Sequence, residues 1–193
     1  GRCREDSGIP CSRKGRSSVL RQAMARGPSG RNKHRNSTQG EDMRTTIRRW
    51  VETDTGHRIP NHKVKCCNLH GHRYRWEAEV EGETVTESGV SDEGMVIDFA
   101  DINHILTKYV HDVIDHAFVV WDGDEKSLRA LKEMGPEHHT VVVPFIPTAE
   151  NLARWAFEQV APHIKSAYGN SMRLAAMHVW ETPKSCATYH AVK

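Results

Sequence analysis

The chain has 193 residues, 37% of them hydrophobic and 27% charged, with a formal net charge of +2. That length accommodates one domain with a proper core and falls short of two of ordinary size. No apolar run reaches the ~18 residues of a membrane span, no apolar signal core opens the sequence, and five cysteines with two adjacent (Cys66, Cys67) make a poor disulfide framework, so a cytoplasmic protein is expected.

The charge is unevenly spread. Residues 1–42 carry ten Lys/Arg against four Asp/Glu, and the rest carry 17 against 21. The first stretch is rich in Gly, Ser, Arg and Asn without apolar periodicity, and reads as a disordered basic tail or an upstream extension, with a natural start expected at Met43. From there the pattern becomes that of a folded domain over residues 43–193. Residues 45–53 read as a strand. His72–Val80 is a cleaner one: His72, Tyr74, Trp76, Ala78 and Val80 share one face, and Arg73, Arg75, Glu77 and Glu79 the other. Met95–Asp98 is expected to be a third strand, Thr140–Phe145 a short one, and 173–181 and 186–192 a pair joined by a turn at Pro183.

Helices are expected between them. Asp98 can cap a helix whose apolar stripe is Phe99, Ile102, Ile105, Leu106, Tyr109, Val110 and Val113; a minor helix spans about Asp124–Met134; and Thr148 can cap another with Leu152, Trp155, Ala156 and Val160 inward. Antiparallel strand pairs separated by helices predict an α+β fold with helices on one face of a sheet.

The strongest chemical signal is His70-Gly71-His72. Residues two apart on a strand point to the same side, so both imidazoles can meet one ion, and zinc in catalytic sites takes three protein ligands plus an open position. His57, just after the first strand, is the third candidate, with His62 the alternative. Cys66 lies four residues before His70, where a nearby cation would lower its pKa and make it a base or nucleophile, or where it would serve as a fourth zinc ligand. Asp115-His116 at the end of the long helix offers a carboxylate-oriented histidine, or else a plain helix end. Glu181 emerges from an apolar strand and needs a partner: a guanidine-like ring edge, or an internal arginine. The segment 147–151, with Thr148 and Glu150, presents free N–H groups at a helix start, suited to a ligand or to a routine cap.

The segments TGHRIP (55–60), CCNLHGHRY (66–74), GMVIDFADI (94–102), IDHAF (114–118), PTAENLARW (147–155) and VWET (179–182) together resemble the 6-pyruvoyl-tetrahydropterin synthase superfamily, in family order over nearly all of residues 43–193. The cysteine four positions before HGH resembles the bacterial 6-carboxy-5,6,7,8-tetrahydropterin synthase branch. The resemblance implies a tunnelling fold: a four-stranded antiparallel sheet with two long helices on one face, assembling into a multi-subunit barrel (a trimer or hexamer) with sites between subunits. It implies Zn2+ on His57, His70 and His72, catalysis by Cys66, Asp115 and His116, and substrate contacts from Glu181, Thr148 and Glu150. The implied reaction turns 7,8-dihydroneopterin triphosphate into 6-carboxy-5,6,7,8-tetrahydropterin, releasing acetaldehyde and triphosphate, in queuosine formation. Cys67 departs from the usual pattern, and segment 119–146 is longer than in compact members.

Other readings use the same residues. The 6-pyruvoyl enzyme would act on the same substrate. A cupin-type metal enzyme would need Glu77 on the metal, yet a straight strand turns Glu77 away from His72. A non-catalytic pterin or nucleic-acid module would rest on the basic tail, but neither a membrane nor a nucleic acid is the expected partner.

Overall fold

Two long antiparallel strands form the middle of the sheet. The structure is a computed structural model and describes residues 44–192; the expected tail over residues 1–42 and the expected start at Met43 lie outside the described residues. Strand β1 (Thr45–His57) runs beside β2 (His70–Gly82) in unbroken register, from Thr45 opposite Gly82 to His57 opposite His70. The first strand is thus longer than the expected 45–53, and the extension carries His57 into the sheet. Beyond β2 come β5 (Met172–Thr182) and β6 (Ser185–His190), both antiparallel to their neighbours.

Among the described residues the sheet has six strands, not the four expected, and with β3 and β4 as given next their order is β4-β3-β1-β2-β5-β6. The two additional strands are β3 (Phe118–Trp121) and β4 (Thr140–Val143), parallel to one another, with β3 joined to β1 only at Gly56 opposite Phe118. β4 was expected; β3 was not, although both are four-residue runs of β-prone side chains. The expected strand at Met95–Asp98 is not one. The Met95 carbonyl accepts from the Val85 amide, and Val96 and Ile97 are buried as apolar plugs in a turn-rich loop.

Helix α1 (Phe99–Leu106) starts where expected, with the Asp98 carboxylate accepting from the Ala100 amide at 2.8 Å. It continues through a π-helical turn, Thr107–His111, into the short α2 (Asp112–Ile114). Helix α3 (Glu125–Glu133) is capped by Asp124, whose buried carboxylate also holds Arg58 on the loop after β1, with Nε at 2.6 Å. Helix α4 (Ala149–Tyr168) is capped by Thr148. Helices α1 and α4 cover one sheet face: α1 packs on β1 and β2, and α4 on β5 and β6.

The helix-covered face carries the core. Tyr74, Trp76, Ala78 and Val80 from β2, and Met177 and Val179 from β5, are fully buried with Ile102, Leu106, Ala156 and Val160 from the helices. Each fully buried large apolar side chain contributes roughly 1.5–3 kcal/mol. A bulge in β5, where Glu79 and Val80 face Ala176 and Leu174, keeps Leu174 on the core side with Met177. The opposite face is polar. There Arg48 and Arg75 hold Glu77, and Arg73 holds Asp54.

The β1–β2 pairing requires a glycine at 71, since a Cβ there would lie 2.9 Å from the Thr55 carbonyl oxygen, a backbone atom that cannot swing aside. Gly71→Ala is therefore expected to cost about 1–3 kcal/mol in urea unfolding, the scale of overpacking a tight site. Unchanged stability would contradict this close approach.

Candidate metal centre and active site

The register that pairs His57 with His70 also sets Thr55 opposite His72, so the three histidines occupy one corner of the core-side face. Their rings are 4.5–5.2 Å apart between centroids, and one ligand atom from each lies within 4.8 Å of the others. Two of the rings are oriented from behind. His57 Nδ1 lies 2.7 Å from the Pro147 carbonyl and His70 Nδ1 lies 2.8 Å from the Asn68 carbonyl. A carbonyl only accepts, so each Nδ1 carries the proton and each Nε2 keeps its lone pair for an ion. Burial, the largest influence, holds the His57 pKa below the usual imidazole value, and the neighbouring histidines push it the same way, against a smaller opposing effect of the Pro147 carbonyl. A neutral imidazole is the form a metal needs. This donor set fits a borderline-soft divalent ion with one position left open.

His62 does not join the group. It is exposed, and its Nδ1 accepts from the Val64 amide. Glu77 faces the opposite side of the sheet, in contact with Arg48 and Arg75, which removes the cupin-type arrangement.

Cys66 sits in a 3-10 turn (Lys65–Cys67) that leads into β2, and its carbonyl accepts from Ile59. Both Cys66 and Cys67 are half-buried free thiols, and neither supplies an atom to the three-histidine group.

Glu181, near the end of β5, reaches the same corner. Its Oε1 accepts from the Tyr74 hydroxyl at 3.2 Å and lies 3.9 Å from His57 Nε2. No arginine pairs with it among the described residues, so the internal ion pair is not its partner. Tyr74 was legible only as a core residue, although its position two after His72 already placed it on the ligand face. Burial first, and then the Glu181 charge, push its phenol pKa far above the usual value, so it stays a donor. Thr148 spends its hydroxyl on the α4 cap, accepting from Asn151, while Glu150 is exposed in the first turn; the neighbouring Pro147 carbonyl is the group that touches a site residue.

Asp115 and His116 form a pair, with His116 Nδ1 2.8 Å from Asp115 Oδ2. The pair docks on the edge of β1: Asp115 accepts from the Asp54 amide at 3.0 Å, and the His116 amide donates to the Asp54 carbonyl at 2.9 Å. His116 has a positive φ of 55°, unusual for a side-chain-bearing residue, and its ring is 78% exposed. Burial raises the Asp115 pKa, but the bonds from His116 and the Asp54 amide outweigh it and keep the carboxyl below its ordinary value. Among the described residues no hydrogen bond or ring contact links this pair to the three histidines.

The family model described as 6-pyruvoyl tetrahydropterin synthase matches residues 46–192. A 6-carboxy-5,6,7,8-tetrahydropterin synthase of Haemophilus influenzae is 33% identical over 139 residues, covering 70% of this chain and 92% of that protein. A protein of the same name from Rickettsia felis is 32% identical over 141 residues, with the same coverages of 70% and 92%. The solved 6-pyruvoyl tetrahydropterin synthase of Caenorhabditis elegans superposes with a TM-score of 0.52 at 26% identity, over 78% of this chain and 97% of that one.

Whether His57, His70 and His72 hold a metal is testable through metal content, read by atomic emission after gel filtration. His70→Ala is expected to lose the metal, whereas Cys66→Ala retains it at the level of the unmodified protein. Loss of metal from the cysteine variant would put sulfur on the ion.

Proposed function

The chain belongs to the 6-pyruvoyl tetrahydropterin synthase family, and on that premise we propose that it is a zinc-dependent carbon–carbon lyase that converts 7,8-dihydroneopterin triphosphate and one water to 6-carboxy-5,6,7,8-tetrahydropterin, with release of acetaldehyde and triphosphate, in queuosine formation. The observation that carries this reading is the convergence of His57, His70 and His72 beside Glu181, with Cys66 in the turn that enters the ligand strand. The names of the Haemophilus and Rickettsia relatives support the carboxy product, as does the spacing of Cys66 before His70.

Bound at the three imidazoles, zinc supplies Lewis-acid polarisation of the substrate's side-chain oxygens. The chain's own residues do the rest. Glu181 accepts from the amino-pyrimidine edge of the ring through paired hydrogen bonds and sets the side chain toward the histidines. Cys66, as thiolate, takes the proton from the carbon beside a side-chain hydroxyl. His116, oriented by Asp115, supplies the complementary proton, and the carbon–carbon bond breaks as in a retro-aldol reaction. To Thr148 and Glu150, at the start of α4 beside Pro147, this reading assigns contacts with the substrate ring.

The exposed His116 ring, held on the edge of β1 rather than against the histidines, suits a site completed between subunits. β6 is an edge strand and β1 meets β3 at a single residue pair, so both leave backbone groups available for pairing with a second copy. A trimer or hexamer with sites between chains follows from this reading. Among the described residues no helix is long and apolar enough to cross a membrane; with free thiols at Cys66, Cys67 and Cys186 we assign the protein to the cytoplasm.

The second reading is the 6-pyruvoyl enzyme, favoured by the structural likeness to the Caenorhabditis elegans protein. Product analysis on the zinc-loaded chain separates the two. Stoichiometric acetaldehyde with the carboxy pterin is expected; a pyruvoyl product without acetaldehyde would overturn the assignment. Glu181→Gln is expected to raise KM more than ten-fold with metal content unchanged, measured by steady-state kinetics, and an unchanged KM would remove Glu181 from the ring site.

A further inference from the structure

The Tyr74 hydroxyl is wholly buried between two site residues, and its geometry separates what it does for each. It lies 3.1 Å from His57 Nε2 and 3.3 Å from His57 Nδ1. These two nitrogens flank one ring carbon, so an oxygen almost equidistant from both and in the ring plane would collide with that carbon. The phenol oxygen therefore lies over the imidazole face. The T-shaped packing of the two rings, 79° between planes, agrees. In-plane lone pairs define hydrogen bonding and metal binding at an imidazole, so the hydroxyl neither donates to Nε2 nor occupies the direction an ion would take.

Its remaining partner is Glu181 Oε1 at 3.2 Å, a charged acceptor that outcompetes a ring face for the single phenol proton. Tyr74 cannot swing away, since it is fully buried and packed against His57, His72 and Trp76. Glu181 is more exposed and sits near the end of a strand. A fixed donor thus restrains a carboxylate that has rotational freedom of its own. We propose that Tyr74 is a positioning residue that locks one oxygen of Glu181, orienting the carboxylate for an amino-pyrimidine edge while leaving the metal ligands unaffected. This rests on the reading of Glu181 as the ring anchor.

The test uses the full chain with and without Tyr74→Phe, Glu181→Gln and both changes together. Three quantities are measured: affinity for pterin itself (2-amino-4-oxopteridine, which has no side chain to meet the metal) by fluorescence, zinc affinity by chelator competition, and the split between kcat and KM. Tyr74→Phe is expected to weaken pterin roughly ten-fold, the scale of one hydrogen bond to a charged acceptor. Zinc affinity should stay within about two-fold, and KM should rise while kcat is nearly unchanged. In the Glu181→Gln background the same change should add almost nothing, because the two residues act as one unit. Independent, additive losses would overturn the proposal, as would loss of zinc from Tyr74→Phe. If Glu181→Gln weakens pterin and Tyr74→Phe does not, the positioning role alone falls. Equal pterin binding by unmodified protein and Glu181→Gln would withdraw the anchor and the positioning role with it. Should Tyr74→Phe fail to fold, Glu181→Asp places the carboxylate out of reach of the phenol; unaltered pterin affinity in that variant overturns the proposal.

Discussion

The register between β1 and β2 is the constraint from which the site follows. Side chains alternate across a strand, so a slip of β2 by one residue would turn His70 and His72 to the polar face and leave His57 facing the core without them. What holds the register is the core-side sequence on β2. Tyr74, Trp76, Ala78 and Val80 are fully buried, and a slip would exchange them for Arg73, Arg75, Glu77 and Glu79. The metal corner is therefore stabilised by apolar packing several residues away from it. The cost of crowding three imidazoles together is offset by that packing and by carbonyls that fix two of the ring tautomers.

The strand order divides the chemistry between two faces and an edge. The three histidines, Tyr74 and Glu181 belong to the core-side face of β1, β2 and β5, where burial keeps His57 neutral and Tyr74 protonated. Asp115 and His116 belong to the edge of β1, where they take over the backbone bonds of Asp54 that a neighbouring strand would otherwise make. The strained backbone of His116 is the local consequence: the chain leaves α2, bonds the strand edge and enters β3 within a few residues.

Much of this was legible in the sequence, for physical reasons that differ between elements. The alternation from His72 to Val80 and the 3.6-residue stripes of the helices reflect burial on one side only, which leaves a periodic trace. His57 as the third candidate followed from antiparallel pairing with the HGH strand, and the structure brings it to His70 and His72 in a group that could hold an ion, while leaving His62 exposed. Met95–Asp98 misled because apolar residues that plug a core resemble a short strand when no period can be counted. β3 escaped notice in the opposite way: its four apolar residues resemble a core plug, and like those of β4 they offer no alternation to count. The backbone acceptors behind the site, Pro147 and Asn68, could not be read at all, because a carbonyl leaves no residue-type signature. Tyr74 was visible as part of the core face, yet its hydroxyl acquired meaning only when β5 placed Glu181 across from it.

The coordination of the metal tests the account most directly. X-ray absorption at the zinc edge of the stoichiometrically loaded chain should show three imidazole nitrogens at about 2.0–2.1 Å and no sulfur. A sulfur scatterer at about 2.3 Å, or failure to bind one ion per chain, would contradict it.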